Sequence, residues 1–165
     1  TQPATYEAEP AELAHAPSIS QARCGKVLLA EDNEVNAMIV DAVLRRQGWE
    51  VEHHLDGETT VDAACRHGAR PDVILMDCMM PRLDGLEATR LIRQEEARRG
   101  LPRLPVIALT ASALQEDHDR CLAAGMDAYL AKPFTESQLL TVLAPYGATT
   151  EFIASEGAGL ALGVA

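Results

Sequence analysis

Five short apolar segments alternate with five segments of helical spacing along most of this chain. The apolar segments predict strands over residues 26–30, 50–54, 72–76, 105–109 and 127–131. Between them, apolar residues recur at intervals of three and four, which is typical of helices with one buried face. This alternation favours right-handed crossovers onto a parallel sheet that helices cover on both faces. The sequence therefore predicts an α/β fold.

Capping and turn residues place the predicted helices at about 35–48, 57–67, 86–98, 112–125 and 135–145. Asn33 and Asp84 are predicted caps, with Glu87 returning to Asp84 as in a capping box. The pairs Ser112-x-x-Gln115 and Thr135-x-x-Gln138 show the same pattern. Each helix should therefore begin at a side chain that accepts a hydrogen bond from the first turn.

The central apolar run, Val73 to Met76, shows no polar alternation, as expected for a strand that is buried on both faces. It ends abruptly at Asp77, where a carboxylate is costly to bury unless a cation or hydrogen bonds compensate it. Pro81 then interrupts regular structure before Asp84-Gly85 opens the next helix. Taken alone, Asp77 fits a turn-capping loop residue as well as it fits a functional carboxylate.

Polar residues stand at the carboxyl ends of the predicted strands, where open α/β sheets bind ligands. They are Glu31, Asp32, Asp77, Thr110 and Lys132. If the first and third strands are neighbours, three carboxylates meet and require a counterion. An all-oxygen donor set with room for water suits Mg²⁺ better than zinc or calcium, although helix capping alone also explains the Glu31-Asp32-Asn33 segment.

The chemistry that this set supports is in-line phosphoryl transfer to a carboxylate. Asp77 would be the nucleophile, and Mg²⁺ would neutralise the transferred charge. Lys132 would hold a phosphoryl oxygen as a point charge, and the Thr110 hydroxyl would donate a hydrogen bond to it.

These residues carry a resemblance to a known family. Glu31-Asp32, Asp77 within MDCMMPRLDG, Thr110-Ala111 and Lys132-Pro133-Phe134 resemble the receiver domains of two-component response regulators. The resemblance covers residues 25–146 and implies a flavodoxin-like sheet with strand order 2-1-3-4-5 and five helices. The segments LLAEDNEVN and VIALTA are most similar to the corresponding segments of receivers in hybrid histidine kinases.

The resemblance also implies roles for single residues. Asp77 would be the phosphoacceptor, and Asp32, Asp77 and the Met79 backbone carbonyl would be Mg²⁺ ligands. Glu31 would help through water. It departs from the family pattern by standing where aspartate is common, and its extra methylene would move the metal or add a water. The resemblance further implies a cis peptide at Lys132-Pro133. Tyr129, taken alone an ordinary strand aromatic, would be a switch coupled to Thr110.

The implied function is a self-catalysed phosphoacceptor that takes its phosphoryl group from a histidine kinase or histidine phosphotransfer domain. It would then change its surface formed by the fourth helix, fifth strand and fifth helix, or pass the group onward. The alternative is a pseudo-receiver interaction module without phosphoryl turnover. Two other classes of protein are disfavoured. A phosphatase of the haloacid dehalogenase type would need an aspartate at position 79, where this chain has methionine. A flavodoxin would need a phosphate-binding loop after the first strand, where Glu31 and Asp32 would repel the phosphate.

Composition limits the remaining possibilities. A net charge of −11 argues against nucleic-acid binding, and no apolar stretch approaches the length of a membrane span. Four cysteines without a C-x-x-C pair and the lack of a signal-peptide pattern predict a cytoplasmic protein. Residues 1–24 are expected to be a linker, and residues 147–165 are expected to be a tail. The domain is expected to be a monomer or a weak dimer that depends on phosphorylation.

Three further motifs are interpreted as structural. His118-x-x-Cys121 has metal-ligand spacing but lacks a second pair, so a solvated histidine and a core thiol are expected. His53 and His54 should point to opposite faces of a strand. Cys78, beside the acceptor, is interpreted as an inert thiol and not as a redox site.

Overall fold

The computed structural model describes residues 24–147, within which five strands and five α-helices alternate. The elements are β1 Gly25–Ala30, α1 Glu34–Arg46, β2 Trp49–His54, α2 Gly57–Cys65, β3 Val73–Asp77, α3 Gly85–Arg99, β4 Val106–Thr110, α4 Gln115–Ala124, β5 Ala128–Ala131 and α5 Glu136–Leu143. A short 3₁₀ turn, Ala144–Tyr146, follows α5. The predicted linker and tail lie outside the described residues, apart from Cys24 and Gly147 at the two ends.

The sheet has the strand order β2-β1-β3-β4-β5, and every neighbouring pair is parallel. This confirms the predicted flavodoxin-like topology. β1 and β3 are neighbours, with Leu29 opposite Leu75, so the segments that follow these two strands share one edge of the sheet. β2 lies at the sheet edge, and its exposed Glu50 between buried Trp49 and Val51 explains its less apolar sequence.

Two apolar layers hold the helices against the sheet. α1 and α5 pack on one face, where Leu44 and Leu139 meet Val27, Leu75 and their neighbours. α2, α3 and α4 cover the other face through residues such as Ala64, Ile92 and Cys121. Because both faces are covered, the central strands are buried throughout, which is why their sequences show no alternation. No helix within residues 24–147 is long and apolar enough to cross a membrane.

The predicted helix starts are confirmed at α1, α2 and α5 and are wrong in part at α3 and α4. Asn33 accepts hydrogen bonds from the amides of Val35 and Asn36, and Thr135 with Gln138 forms the reciprocal capping box. Asp84 caps α3, but Glu87 pairs with Arg90 and does not return to it.

The predicted capping box at Ser112 is not formed. α4 begins at Gln115 after Leu114, which makes no side-chain cap. The Ser112 hydroxyl instead accepts a hydrogen bond from the Leu114 amide at 3.2 Å, and the Ser112 amide donates to the Thr110 hydroxyl. Ser112 is therefore used within the loop, three residues before the first residue of α4. α2 also ends at Cys65, two residues before its predicted end at His67.

Candidate functional site

Asp77 is the last residue of β3 and is 6% exposed. Its Oδ1 accepts a hydrogen bond from the Met79 amide at 2.9 Å, which fixes the carboxylate at the start of the loop. The loop then folds back so that Gly85 packs on Asp77: a Cβ at Gly85 would lie 2.1 Å from the Asp77 carbonyl oxygen. The glycine of the Asp84-Gly85 pair is therefore needed for a close backbone approach that the sequence pattern does not predict.

Three carboxylates meet at this edge of the sheet. Glu31 and Asp32 follow β1, Asp77 ends the neighbouring β3, and each offers an oxygen within 4.8 Å of the others. Glu31 is 1% exposed, whereas Asp32 is exposed to solvent. An oxygen-only donor set that is open on one side fits Mg²⁺, which keeps several of its waters in protein sites. The three acids named from the sequence are thus brought together, while the Met79 carbonyl stays a predicted ligand.

Lys132 links two of these acids across long chain separations. Its Nζ donates to Glu31 Oε2 at 2.7 Å and to Asp77 Oδ2 at 2.9 Å. Lys132 follows β5, and the peptide bond between it and Pro133 is cis. Glu31 and Asp77 therefore share one ammonium group, and Asp32 makes no ion pair within the described residues.

The pKa directions agree with this excess of negative charge. Burial raises the pKa of the Asp77 carboxyl, and nearby Glu31 adds to the increase, while the Met79 amide and Lys132 oppose it. Burial by itself lowers the pKa of the Lys132 ammonium, but its hydrogen bonds to Glu31 and Asp77 outweigh burial and raise the pKa. A bound cation would favour the ionised form of Asp77.

Thr110 and Tyr129 lie on the same face of the sheet, on neighbouring strands. Thr110 ends β4 and is 7% exposed, and its Oγ1 donates to the Ser112 carbonyl at 3.1 Å. Tyr129 of β5 is opposite Ala108, two residues before Thr110, so the two side chains leave the sheet on one side. The Tyr129 ring is 42% exposed and lies against His118 of α4, with ring centroids 4.2 Å apart.

The remaining candidate motifs do not form sites of their own. Cys121 is buried, and its sulfur lies 3.8 Å from the sulfur of Cys78. It does not form a metal site with His118 among the described residues. Burial and the adjacent Cys121 raise the pKa of the Cys78 thiol, which fits an inert group. His54 pairs with Glu52, whereas His53 reaches the Glu31 carbonyl through Nε2 at 2.8 Å.

This His53 contact and the ring contact between His118 and Tyr129 were not predicted from the sequence. The spacing of His118 three residues before the buried Cys121 was the available signal for the second contact, because residues at this interval share a helix face. No local sequence pattern predicts the contact of His53 with Glu31, because this contact joins β2 to the residue that follows the neighbouring strand β1.

Comparison with known proteins gives a consistent result. The sequence model of the family described as response regulator receiver domain matches residues 27–144 of this chain. Hybrid signal transduction histidine kinase L of Dictyostelium discoideum is 36% identical over 127 residues, which is 74% of this chain and 7% of that protein. The sensor protein GacS of Pseudomonas syringae pv. syringae is 40% identical over 121 residues, which is 73% of this chain and 13% of that protein. The chain thus spans a small part of these curated relatives.

Two solved structures share the fold. The receiver domain of a Pseudomonas aeruginosa sensor histidine kinase, crystallised with magnesium in its active-site cleft, is 48% identical with a TM-score of 0.66, covering 74% of this chain and 96% of that one. The receiver domain of the Saccharomyces cerevisiae response regulator Ssk1, crystallised with the histidine phosphotransfer protein Ypd1, is 30% identical with a TM-score of 0.70, covering 77% and 93%. With its fold, acidic cluster and family match in agreement, this chain belongs to the response regulator receiver domain family of two-component signalling.

Proposed function

We propose that the domain accepts a phosphoryl group from a phosphohistidine onto Asp77. The observation that carries this proposal is the convergence of Glu31, Asp32, Asp77 and Lys132 at one edge of the sheet. Asp77 is anchored through Oδ1 by the Met79 amide and through Oδ2 by Lys132, so its carboxylate has a defined orientation towards an incoming donor.

In the proposed step an Asp77 oxygen forms a bond to phosphorus. The phosphorus–nitrogen bond of the donor breaks, and its electron pair stays on the departing imidazole nitrogen. Lys132 moves from the carboxylates to a phosphoryl oxygen, and the Thr110 hydroxyl leaves the Ser112 carbonyl to donate to another. These two donors stabilise the charge that spreads over the phosphoryl oxygens.

Mg²⁺ is the proposed cofactor, held by Asp32, Asp77 and the Met79 carbonyl, with Glu31 acting through water. When bound, it supplies positive charge that reduces repulsion between the carboxylates and the phosphoryl group. The donor set supports this choice, because the cluster offers oxygen ligands alone.

The alternative is a pseudo-receiver that uses the same fold as an interaction module without phosphoryl turnover. Such a module has no need for a buried acid whose two oxygens are both held by donors, or for an acidic cluster of this density. The presence of Thr110 and Lys132 together with the three acids supports the phosphoacceptor.

The first prediction is that acetyl phosphate with Mg²⁺ adds one phosphoryl group to Asp77, measured by intact-protein mass spectrometry and peptide mapping. Asp77→Asn should abolish the label, because the amide is a poor nucleophile. Asp84→Asn is the matched control: it makes the same change on the same loop and retains a helix cap. Full labelling of Asp77→Asn would overturn the acceptor assignment, and an unlabelled wild-type protein would favour the pseudo-receiver.

We further propose that the donor is a histidine phosphotransfer domain and that the chain serves a cytoplasmic hybrid histidine kinase. An α1 patch, consisting of Val35, Met38 and Ile39, is 61–71% exposed. Ile39 also lines a cavity of about 420 Å³ together with Glu31 and Lys132, so the patch is continuous with the phosphorylation site. A partner helix that presents a phosphohistidine to Asp77 would cover this patch, which supports a helical phosphotransfer partner.

The second prediction separates docking from chemistry. Met38→Glu should slow phosphoryl transfer from phosphorylated Ypd1 by about fivefold or more, because a buried apolar contact is lost, and should leave labelling by acetyl phosphate unchanged. Gln94→Glu, the same charge change on exposed α3, is the control. Equal slowing with both donors would place the effect in the site itself and refute docking at the α1 patch.

A further inference from the structure

The outward position of Tyr129 is supported by one neighbouring ring. His118 and Tyr129 pack with their ring centroids 4.2 Å apart and their ring planes inclined by 48°. His118 belongs to the first turn of α4, and Tyr129 belongs to β5, so this contact joins the helix to the strand. Tyr129 is half-exposed, and His118 contacts its ring from α4.

His118 is itself held in place. Gln115 Nε2 lies 3.2 Å from His118 Nδ1 and donates to Asp119 Oδ1 at 2.9 Å, which orients the imidazole from the exposed side of the helix. One turn further on, Cys121 anchors the same face of α4 in the core beside Cys78. The Gln115 contact and the anchored helix face therefore both favour the position of the imidazole beside Tyr129.

We propose that His118 is a positioning residue that holds Tyr129 outward and thereby sets the balance of the switch. The proposal rests on the proposed function, in which movement of Thr110 to the phosphoryl group lets the Tyr129 ring turn inward. Thr110 and Tyr129 lie on one face of the sheet, so an inward turn carries the ring towards Thr110 and away from His118. The contact between the two rings must be broken for the switch to occur, and its loss opposes the inward state.

The expected size of the effect follows from the strength of aromatic pairs. Contacts of this kind change an equilibrium by about two- to tenfold. His118→Ala should therefore raise the ratio of inward to outward Tyr129 by about this factor in the unphosphorylated domain. Since a larger competent fraction reacts faster, labelling by acetyl phosphate should accelerate by up to the same factor.

The test is NMR of the whole chain carrying ¹³C-labelled tyrosine rings, with the Tyr129 signal assigned through Tyr129→Phe. Nuclear Overhauser contacts between the Tyr129 ring and the Thr110 methyl group report the inward state, without and with beryllofluoride and Mg²⁺ as a phosphoryl mimic. His118→Phe keeps a ring at the position and should preserve the wild-type ratio. Glu116→Ala, an exposed residue in the same turn of α4, controls for changes in helix propensity.

Support requires a raised inward fraction and faster labelling in His118→Ala, with rescue by His118→Phe. An unchanged Tyr129 signal in His118→Ala, failure of the rescue, or an equal effect of Glu116→Ala would overturn the proposal. A Tyr129 ring that stays outward with beryllofluoride would overturn it as well. Failure of the proposed function looks different: Asp77 would then not be labelled in the wild-type protein, whatever the state of Tyr129.

Discussion

Met79 stands two residues beyond the proposed phosphoacceptor, and its side chain is 74% exposed. Its amide is committed to Asp77, while its side chain carries no strong hydrogen-bonding group that could orient a water molecule. Ser112, two residues beyond Thr110, has a hydroxyl that accepts from the Leu114 amide within the loop. The exposed Met79 side chain is therefore not suited to activating water for attack on an aspartyl phosphate.

The third prediction follows at this scale: the phosphorylated domain alone should hydrolyse slowly, and Met79→Asn or Met79→Glu should speed the decay about tenfold, equivalent to a barrier change of ~1.4 kcal/mol. The decay is measured after removal of acetyl phosphate. Leu122→Asn, an exposed apolar residue of α4 changed in the same way, should leave the lifetime unaltered. Native decay within seconds, or unchanged lifetimes in the Met79 variants, would contradict this account.

At the scale of the elements, a buried acid ties α3 to its surroundings. Glu96 is 5% exposed near the end of α3. Its Oε1 accepts from the Leu104 amide at 2.7 Å and from Arg70 at 3.0 Å, and its Oε2 accepts from Arg93 at 2.7 Å. It thus fixes the helix to the segments that lead into β3 and β4, at the edge of the sheet opposite the carboxylate cluster.

The fourth prediction compares two neighbouring acids of α3. Glu96→Gln should lower the free energy of unfolding by about 3 kcal/mol, because two partly buried guanidinium groups lose their shared counter-charge. Glu95→Gln removes an ion pair with exposed Arg98 and should change stability little. Urea denaturation of both variants gives the comparison, and similar losses for the two would show that Glu96 has no special role.

At the scale of the whole molecule, the net charge of −11 is unevenly compensated. Among the contacts that the structure describes for this cluster, Glu31 and Asp77 pair with Lys132 and Asp32 pairs with no cation, so the folded state concentrates negative charge at one edge of the sheet. A cation that binds this arrangement, and not the unfolded chain, must stabilise the fold.

The fifth prediction is that Mg²⁺ raises the free energy of unfolding by about 1.4 kcal/mol at ten times its dissociation constant, since the acids converge only in the folded state. The rise is measured by urea denaturation at fixed ionic strength, with NaCl replacing MgCl₂ in the control. Asp32→Asn should remove most of the effect. An equal rise with NaCl, or in the variant, would rule out specific binding at this cluster.

Local sequence determined the strands, the helices and the edge of the sheet at which the candidate site residues lie. Continuous apolar runs mark strands that are buried on both faces, and intervals of three and four mark helices, because each pattern reflects burial within one short segment. The alternation of the two then placed Glu31, Asp32, Asp77, Thr110 and Lys132 at one edge of the sheet. The strand order itself came from the resemblance to receiver domains, and the structure confirms it.

Packing between distant segments decided the rest. Lys132 reaches Glu31 across 101 residues, and His118 meets Tyr129 across the boundary of a helix and a strand. Ser112 is a residue type that commonly caps helices, but its hydroxyl accepts a hydrogen bond inside the loop. Position 85 must be glycine because a Cβ there would collide with the backbone of Asp77. Periodicity reports which side of an element is buried, whereas the partner on that side depends on how the elements lie against one another, and that is settled by the tertiary structure.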